Sequence, residues 1–286
     1  MAATALSSEL RAVAERIADA LPEDVVEAVV TGSVSRGIAD EASDIEMLVV
    51  TEDEPDLDEC FAAAAACGLT RLGTWGLQGV PTKRVSGYRE GVPIELIWQS
   101  RADAEAAVDA VFAGALTGTA DALAHGLALR TSGLLARWQE RLRDYPDELA
   151  AARIEDAALT WGGFAAAGLL TIARPGERLA LLERMVDDAT RVVRIVFALN
   201  RVWQPTHKRL AARVATLPLR PDRLAERIEE ALTEPDPRRG LVAMTQLQLD
   251  TVALAPDGPN VVRARAWLAE GLDILSRADI TGDTPC

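Results

Sequence analysis

The pattern of apolar and polar residues changes character near residue 101. Before it, short β-branched runs alternate with amphipathic segments, which predicts a region of mixed helices and strands. The predicted helices are 7–20 and 56–67, and the predicted strands are 25–32, 43–52, 69–78, 82–89 and 92–100. The last two strands are joined by Glu90-Gly91, which resembles a hairpin turn.

Beyond residue 101, long segments rich in alanine, leucine and arginine have helical spacing and are interrupted by prolines, which predicts a helical bundle. The firmest predicted helices are 147–173, 177–201, 221–233, 237–254 and 259–277. Together the two patterns predict an α+β fold. It has an N-terminal mixed-sheet domain over 1–114 and an all-α helical-bundle domain over 115–286.

Composition supports a folded protein outside the membrane. The chain has 286 residues, of which 49% are hydrophobic, enough for a sizeable core. No run approaches the roughly 20 apolar residues that span a bilayer, and the N-terminus carries acids where a signal peptide would not. We therefore expect a cytoplasmic protein without a membrane segment. Cys60 and Cys67, seven apart, are expected to share a helix face as small hydrophobes, and the cysteine pattern argues against zinc.

Net charge narrows the class of partner. The formal charge is −14, which would repel a polyanion such as nucleic acid. A small cationic molecule is electrostatically easier to bind, and this is the basis for preferring such a partner.

A Gly-Ser pair and two acids stand close together in 31-TGSVSRGIADEASDIEML-48. Asp44 and Glu46 are two residues apart, so in a strand they lie on one face and repel each other unless a cation lies between them. Mg²⁺ prefers oxygen ligands and commonly shares them with substrate phosphates. Gly32 permits close approach of a phosphate to backbone amides at a helix start, and Ser33 adds a hydroxyl donor. The stretch thus suggests a nucleoside triphosphate bound with Mg²⁺.

A third carboxylate, Glu95, lies in the apolar run VPIELIWQS. Burying an acid there is costly unless it is paired or binds a metal. It is therefore a candidate metal ligand or proton acceptor. The alternative is an edge-strand residue paired with Arg84 or Arg89.

These three elements, Gly32-Ser33, Asp44-x-Glu46 and a later strand carboxylate, resemble the signature of the DNA polymerase β-like nucleotidyltransferase superfamily. A catalytic domain followed by a helical domain is similar to the antibiotic nucleotidyltransferases, which modify aminoglycosides or lincosamides. One departure is Glu46, where aspartate is commoner in that signature.

The resemblance implies Mg²⁺-dependent transfer of a nucleoside monophosphate from an NTP, with ATP the first choice, to a hydroxyl of a small molecule. Asp44 and Glu46 would bind Mg²⁺, and Glu95 would accept the proton or bind a second ion. Gly32 and Ser33 would bind the phosphates.

Arg36 and Lys208 are expected to balance the charge of the leaving pyrophosphate. For Arg36 the alternative is an ion pair with Asp40 or Glu41. Lys208 is expected in the first turn of a helix after Pro205. The alternative for Lys208 is a place in a basic turn that faces solvent.

Two other functions stay open at this stage. One is a nucleotidyltransferase toxin acting on tRNA or a protein, and the other is a nucleotide-binding protein without catalysis, which Glu46 in place of aspartate would favour. If Glu95 is a metal ligand, Asp187 or Glu183 is the next candidate to accept the proton of the acceptor hydroxyl. The pairs Asp187–Arg191 and Arg184–Asp188 also have the spacing of ion pairs along a helix. The sequence does not distinguish a monomer from a homodimer.

Overall fold

The computed structural model describes residues 3–75, 82–115, 118–161, 176 and 178–277. The chain divides into two compact units, Met1–Asp144 and Tyr145–Cys286. The first contains a mixed sheet with helices, and the described part of the second is helical. The predicted α+β class is thus confirmed.

The first unit contains every helix and strand predicted before residue 101. In chain order its elements are α1 Ala5–Ala20, β1 Val25–Val30, α2 Gly32–Ser35, β2 Ile45–Thr51, α3 Leu57–Ala66, β3 Thr70–Thr74, β4 Lys83–Arg89, β5 Val92–Ser100, α4 Arg101–Phe112, α5 Thr119–Ala124, β6 Leu127–Arg130 and α6 Leu134–Arg143. The end of the predicted strand 69–78, beyond residue 75, lies outside the described residues.

The strands form one sheet in the order β3-β4-β5-β2-β1-β6. β2 and β5 are parallel neighbours at its centre, and the other pairs are antiparallel. Alternate side chains of β2 and β5 are fully buried in a core shared with α1 and α3. Four of the intervening residues point to the opposite face and are only half-buried: Glu46 and Leu48 on β2, and Glu95 and Ile97 on β5.

β6 is a strand that the sequence pattern did not predict. It pairs antiparallel with β1 and completes the sheet beyond the predicted boundary at residue 114. Four residues are too few to show an alternating pattern, which is why the sequence predicts no strand here. The structural division falls after Asp144, and the catalytic and substrate-binding roles given to the two parts stay predictions.

Glu27, in the middle of β1, has no solvent exposure and no arginine or lysine partner among the described residues. Its carboxylate instead accepts hydrogen bonds at the start of α6. The donors are the backbone N–H of Ser132 at 2.7 Å, of Leu134 at 3.3 Å and of Leu135 at 3.2 Å, and the hydroxyls of Thr131 and Ser132. Because the first N–H groups of a helix have no partner within it, this carboxylate caps α6 and joins it to the sheet.

The second unit contains α7 Asp147–Leu159, α8 Arg178–Leu199, α9 Leu210–Ala215, α10 Leu224–Thr233, α11 Pro237–Ala253 and α12 Pro259–Arg277. These helices share one apolar core that includes Trp161, Phe197 and Leu241. The five predicted helices of this region are therefore present in their described parts. The portion of the predicted helix 147–173 beyond residue 161 lies outside the described residues.

A buried aspartate lies inside this core. Asp188 on α8 is 1% exposed, and it accepts hydrogen bonds at 2.9 Å from Nε1 of Trp161 and from Nε of Arg184. The predicted pairs Arg184–Asp188 and Asp187–Arg191 are both present. Trp161 is fully buried, which agrees with a packing role.

Asp188 should make the stability of the second unit depend on pH. Burial raises the pKa of Asp188 above its ordinary 3.8, against the opposing effects of Arg184 and Trp161. The contribution of this group to stability is therefore full below pH 3.8 and is lost as pH rises through the folded-state pKa. We expect the stability of Asp188→Asn relative to wild type to improve as pH rises above 3.8, by at most about 1.4 kcal/mol per pH unit.

Hydrogen exchange of the α8 amides between pH 4 and pH 7 would measure this difference. Asp187→Asn, which changes the exposed neighbouring acid, is the matched control. A difference between Asp188→Asn and wild type that is constant across the range would contradict the prediction.

Cys60 and Cys67 are buried free thiols in the first unit, as predicted for small hydrophobes. Burial raises the pKa of the Cys60 thiol to about 12, so this side chain is protonated at neutral pH.

Across the described residues, no helix has the length and apolar character needed to cross a membrane.

Candidate functional site

The turn after β1 brings the two halves of the Gly-Ser and acidic signature into contact. Gly32 has a φ of +69°, and a methyl group at its Cα would lie 2.8 Å from Oε2 of Glu46. The N–H of Thr31 also donates to the carbonyl of Glu46 at 2.9 Å. Only glycine combines this backbone conformation with room for the carboxylate, so Gly32 is required for the position of Glu46.

This contact changes the role expected of Gly32. The sequence predicts that glycine admits a phosphate, whereas the structure places a carboxylate of the protein in the space beside it. A phosphate bound at the same turn would face the negative charge of Glu46. A cation between the two groups would relieve that repulsion.

Ser33 and Asp44 are half-buried, and both lie between Gly32 and Glu46 in the sequence. Ser33 is in α2, and Asp44 immediately precedes β2. The backbone carbonyl of Ser33 accepts a hydrogen bond from the N–H of Ile38 at 3.0 Å. The Ser33 hydroxyl takes no part in that bond. Because Asp44 precedes β2 and does not lie in it, the shared face expected of Asp44 and Glu46 stays a prediction.

Glu95 lies next to Glu46 on the neighbouring strand. The two residues are directly opposite in the parallel pairing of β2 and β5, so their side chains share the half-buried face of the sheet. Nη1 of Arg84 donates to Oε1 of Glu95 at 3.1 Å, and the Glu95 side chain is 14% exposed. The alternative ion pair with Arg84 is therefore observed, on a central strand rather than an edge strand.

The predicted cluster of three carboxylates is not formed. Within the part of the chain that the structure describes, no three or more His, Cys, Asp or Glu side chains are grouped so that they could hold a metal. In the structure Asp44 precedes β2, and Glu95 is paired with Arg84. Asp44 and Glu46 are then the residues that would hold Mg²⁺. Two carboxylates fit this ion because Mg²⁺ usually takes one or two from the protein and completes its shell with water and substrate phosphates.

Arg36 forms a different ion pair from those anticipated. One Nη donates to Oδ2 of Asp121 at 2.6 Å and to the backbone carbonyl of Asp121 at 3.0 Å, and the pair is largely buried. Because Asp121 already balances its charge, Arg36 stabilises the loop after α2 against α5. Its contact with a phosphate stays a prediction.

Lys208 is exposed and lies before a helix rather than in its first turn. α9 begins at Leu210, and Arg209 at its N-cap has a φ of 58°. This left-handed conformation prevents the helix from extending back to Lys208. Its role near a triphosphate stays a prediction.

Trp75 is a site-face residue that sequence reasoning missed. Its indole is 59% exposed, and the guanidinium of Arg84 lies 4.5 Å from its ring centroid. The signal available in the sequence was a tryptophan between Gly73 and Gly76, within a predicted strand. That signal does not identify Arg84 as the partner, because the contact depends on how β3 and β4 pair.

Gly32→Ala should weaken the binding of Mg²⁺-nucleotide more than it lowers the stability of the fold. The left-handed backbone makes alanine cost about 1–2 kcal/mol, and the new methyl group would displace the Glu46 carboxylate. We expect about 10-fold weaker binding of Mg²⁺-nucleotide, measured by calorimetry, as for loss of a group that positions a metal ligand. Gly91→Ala is the matched control, because Gly91 has a φ of +81° and open space around it. Equal effects of the two variants on nucleotide binding would contradict this role.

One stretch of the chain matches a known protein family. Residues 124–210 match a family model described as a domain of unknown function (DUF4037). The search of curated proteins found no match. Among solved structures, the chain is similar to a nucleotidyltransferase-like protein from Exiguobacterium sibiricum 255-15, with 10% sequence identity and a TM-score of 0.42. That similarity covers 95% of this chain and 91% of the other. The likeness is too low to assign a function, which must come from the side chains of the site.

Proposed function

We propose that the protein is a Mg²⁺-dependent nucleotidyltransferase that transfers a nucleoside monophosphate from an NTP to a hydroxyl of a small molecule. The observation that carries this proposal is the contact between Gly32 and the Glu46 carboxylate, with Glu95 in register on the next strand. This arrangement supports a triphosphate at the turn after β1 and an acceptor beside Glu95.

Each residue has a defined part in the proposed reaction. The Ser33 hydroxyl donates a hydrogen bond to a terminal phosphate oxygen. Asp44 and Glu46 would hold Mg²⁺, which supplies positive charge for the phosphate oxygens when bound. Glu95 takes the proton of the acceptor hydroxyl while the oxygen of that hydroxyl forms a bond to the α-phosphorus. The bond between the α-phosphorus and the bridging oxygen breaks in line, and pyrophosphate leaves.

The acceptor class follows only from net charge. A chain with a formal charge of −14 attracts cations, which favours a cationic acceptor such as an aminoglycoside-like amino sugar. ATP is the first nucleotide to test.

The experiment is to incubate the protein with each labelled NTP and Mg²⁺, and to follow transfer of the label by mass. The acceptors offered are aminoglycosides, lincosamides and bulk tRNA in separate reactions. Transfer to a small molecule supports the proposal, whereas transfer to tRNA alone would replace it with the toxin function.

Nucleotide binding without catalysis is a second candidate function. It is favoured by the Arg84–Glu95 ion pair, which engages the proposed proton acceptor, and by glutamate at position 46. Tight NTP binding with no transfer to any acceptor in the same experiment would support it.

A further inference from the structure

The neighbouring carboxylates Glu46 and Glu95 repel each other. They occupy opposite positions on β2 and β5, and neighbouring strands are about 4.8 Å apart. The protein supplies a positive charge beside Glu95, since Arg84 donates to Oε1 at 3.1 Å.

Arg84 makes a second contact, with Trp75, that holds its side chain in place. It lies on β4 opposite Ile97, two residues beyond Glu95 on β5, so its side chain reaches diagonally across the strands to the carboxylate. The guanidinium also stacks on the Trp75 ring at 4.5 Å. An ion pair and an aromatic contact together restrain a side chain that would otherwise be mobile.

A second metal ion at Glu95 would compete directly with this guanidinium. Mg²⁺ binds carboxylate oxygens at about 2.0–2.1 Å. An ion on Oε1 would therefore lie close to Nη1 of Arg84 and be repelled by it. The described residues contain no three-carboxylate group that could compensate by binding the ion strongly.

We propose that Arg84 takes the place of a second metal ion beside Glu95, so that the site binds a single divalent ion through Asp44 and Glu46. Glu95 is then a proton acceptor rather than a metal ligand, and Arg84 and Trp75 are positioning residues for it. This inference rests on the proposed function, because it concerns the same metal and acceptor.

The test counts bound metal instead of measuring activity. The full-length protein is titrated with Mn²⁺ in the presence of a non-hydrolysable ATP analogue, and bound Mn²⁺ per chain is measured by electron paramagnetic resonance. Titration of the analogue alone is subtracted. Wild type is expected to bind one ion, and Arg84→Gln is expected to bind a second one.

Further variants locate the second ion. Arg84→Lys retains the positive charge and should still bind one ion, as should Arg89→Gln, which removes another arginine from β4. The double variant Arg84→Gln/Glu95→Gln should return to one ion, because the carboxylate for the second is gone. Retention of the first ion in every variant shows that the site is still folded.

The outcomes separate this inference from the proposed function. Two ions in wild type, or one ion in Arg84→Gln, would overturn the role of Arg84 while leaving nucleotidyl transfer intact. No ion in wild type, or binding that Asp44→Asn leaves unchanged, would remove the metal assignment and with it both proposals.

Discussion

Asp44→Asn is expected to lower turnover by at least about 100-fold, since loss even of groups that only support a metal ligand costs 10–100-fold. The asparagine side chain keeps the size of aspartate but removes the negative charge that would hold Mg²⁺ next to Glu46. Turnover is to be measured as Mg²⁺-dependent pyrophosphate release with the acceptor found in the labelling experiment.

The control for this variant is Glu41→Gln, which removes an exposed acid from the same loop. It should have near wild-type turnover, because it changes net charge equally without touching the site. Turnover of Asp44→Asn close to that of Glu41→Gln would refute the metal assignment.

Glu27→Ala should have the largest effect on stability. The substitution leaves three backbone N–H groups and two hydroxyls at the start of α6 without their acceptor. Each buried donor left unsatisfied costs about 1–3 kcal/mol, so we expect the free energy of unfolding of the first unit to fall by about 3 kcal/mol or more. Urea unfolding, together with hydrogen exchange of the α6 amides, would measure it.

Two further variants define the cause of that loss. Glu27→Gln retains one acceptor oxygen and the side-chain volume, so its effect should be intermediate. Glu23→Ala removes an exposed acid two residues before β1 and should change stability by less than about 0.5 kcal/mol. A loss below about 1 kcal/mol in Glu27→Ala would show that water replaces the carboxylate at this helix start.

Glu27 also shows what a local pattern leaves out. In VVEAVV it is one polar residue within a β-branched run, and nothing nearby indicates that it is fully buried. Its hydrogen-bond donors are more than 100 residues away in the chain. Only the pairing of β1 and β6 brings them to it.

Arg36 and Glu95 extend this point to the candidate site. Arg36 has acids within five residues, and it also forms an ion pair with Asp121, 85 residues away. For Glu95 the candidate partner Arg84 could be named from the sequence, because the hairpin of β4 and β5 is local. The simultaneous contact of Arg84 with Trp75 depends on the pairing of a third strand.

The amino-acid sequence by itself determined the α+β class, most of the helices and strands, and the choice of Gly32, Ser33, Asp44, Glu46 and Glu95 as candidate residues. It could do so because apolar periodicity and glycine turns depend on neighbours along the chain. Only the tertiary structure decided the sixth strand, the division after Asp144, and which charged groups pair with Arg36 and Glu95. Those features depend on strand register and on packing between distant segments, which no local pattern specifies.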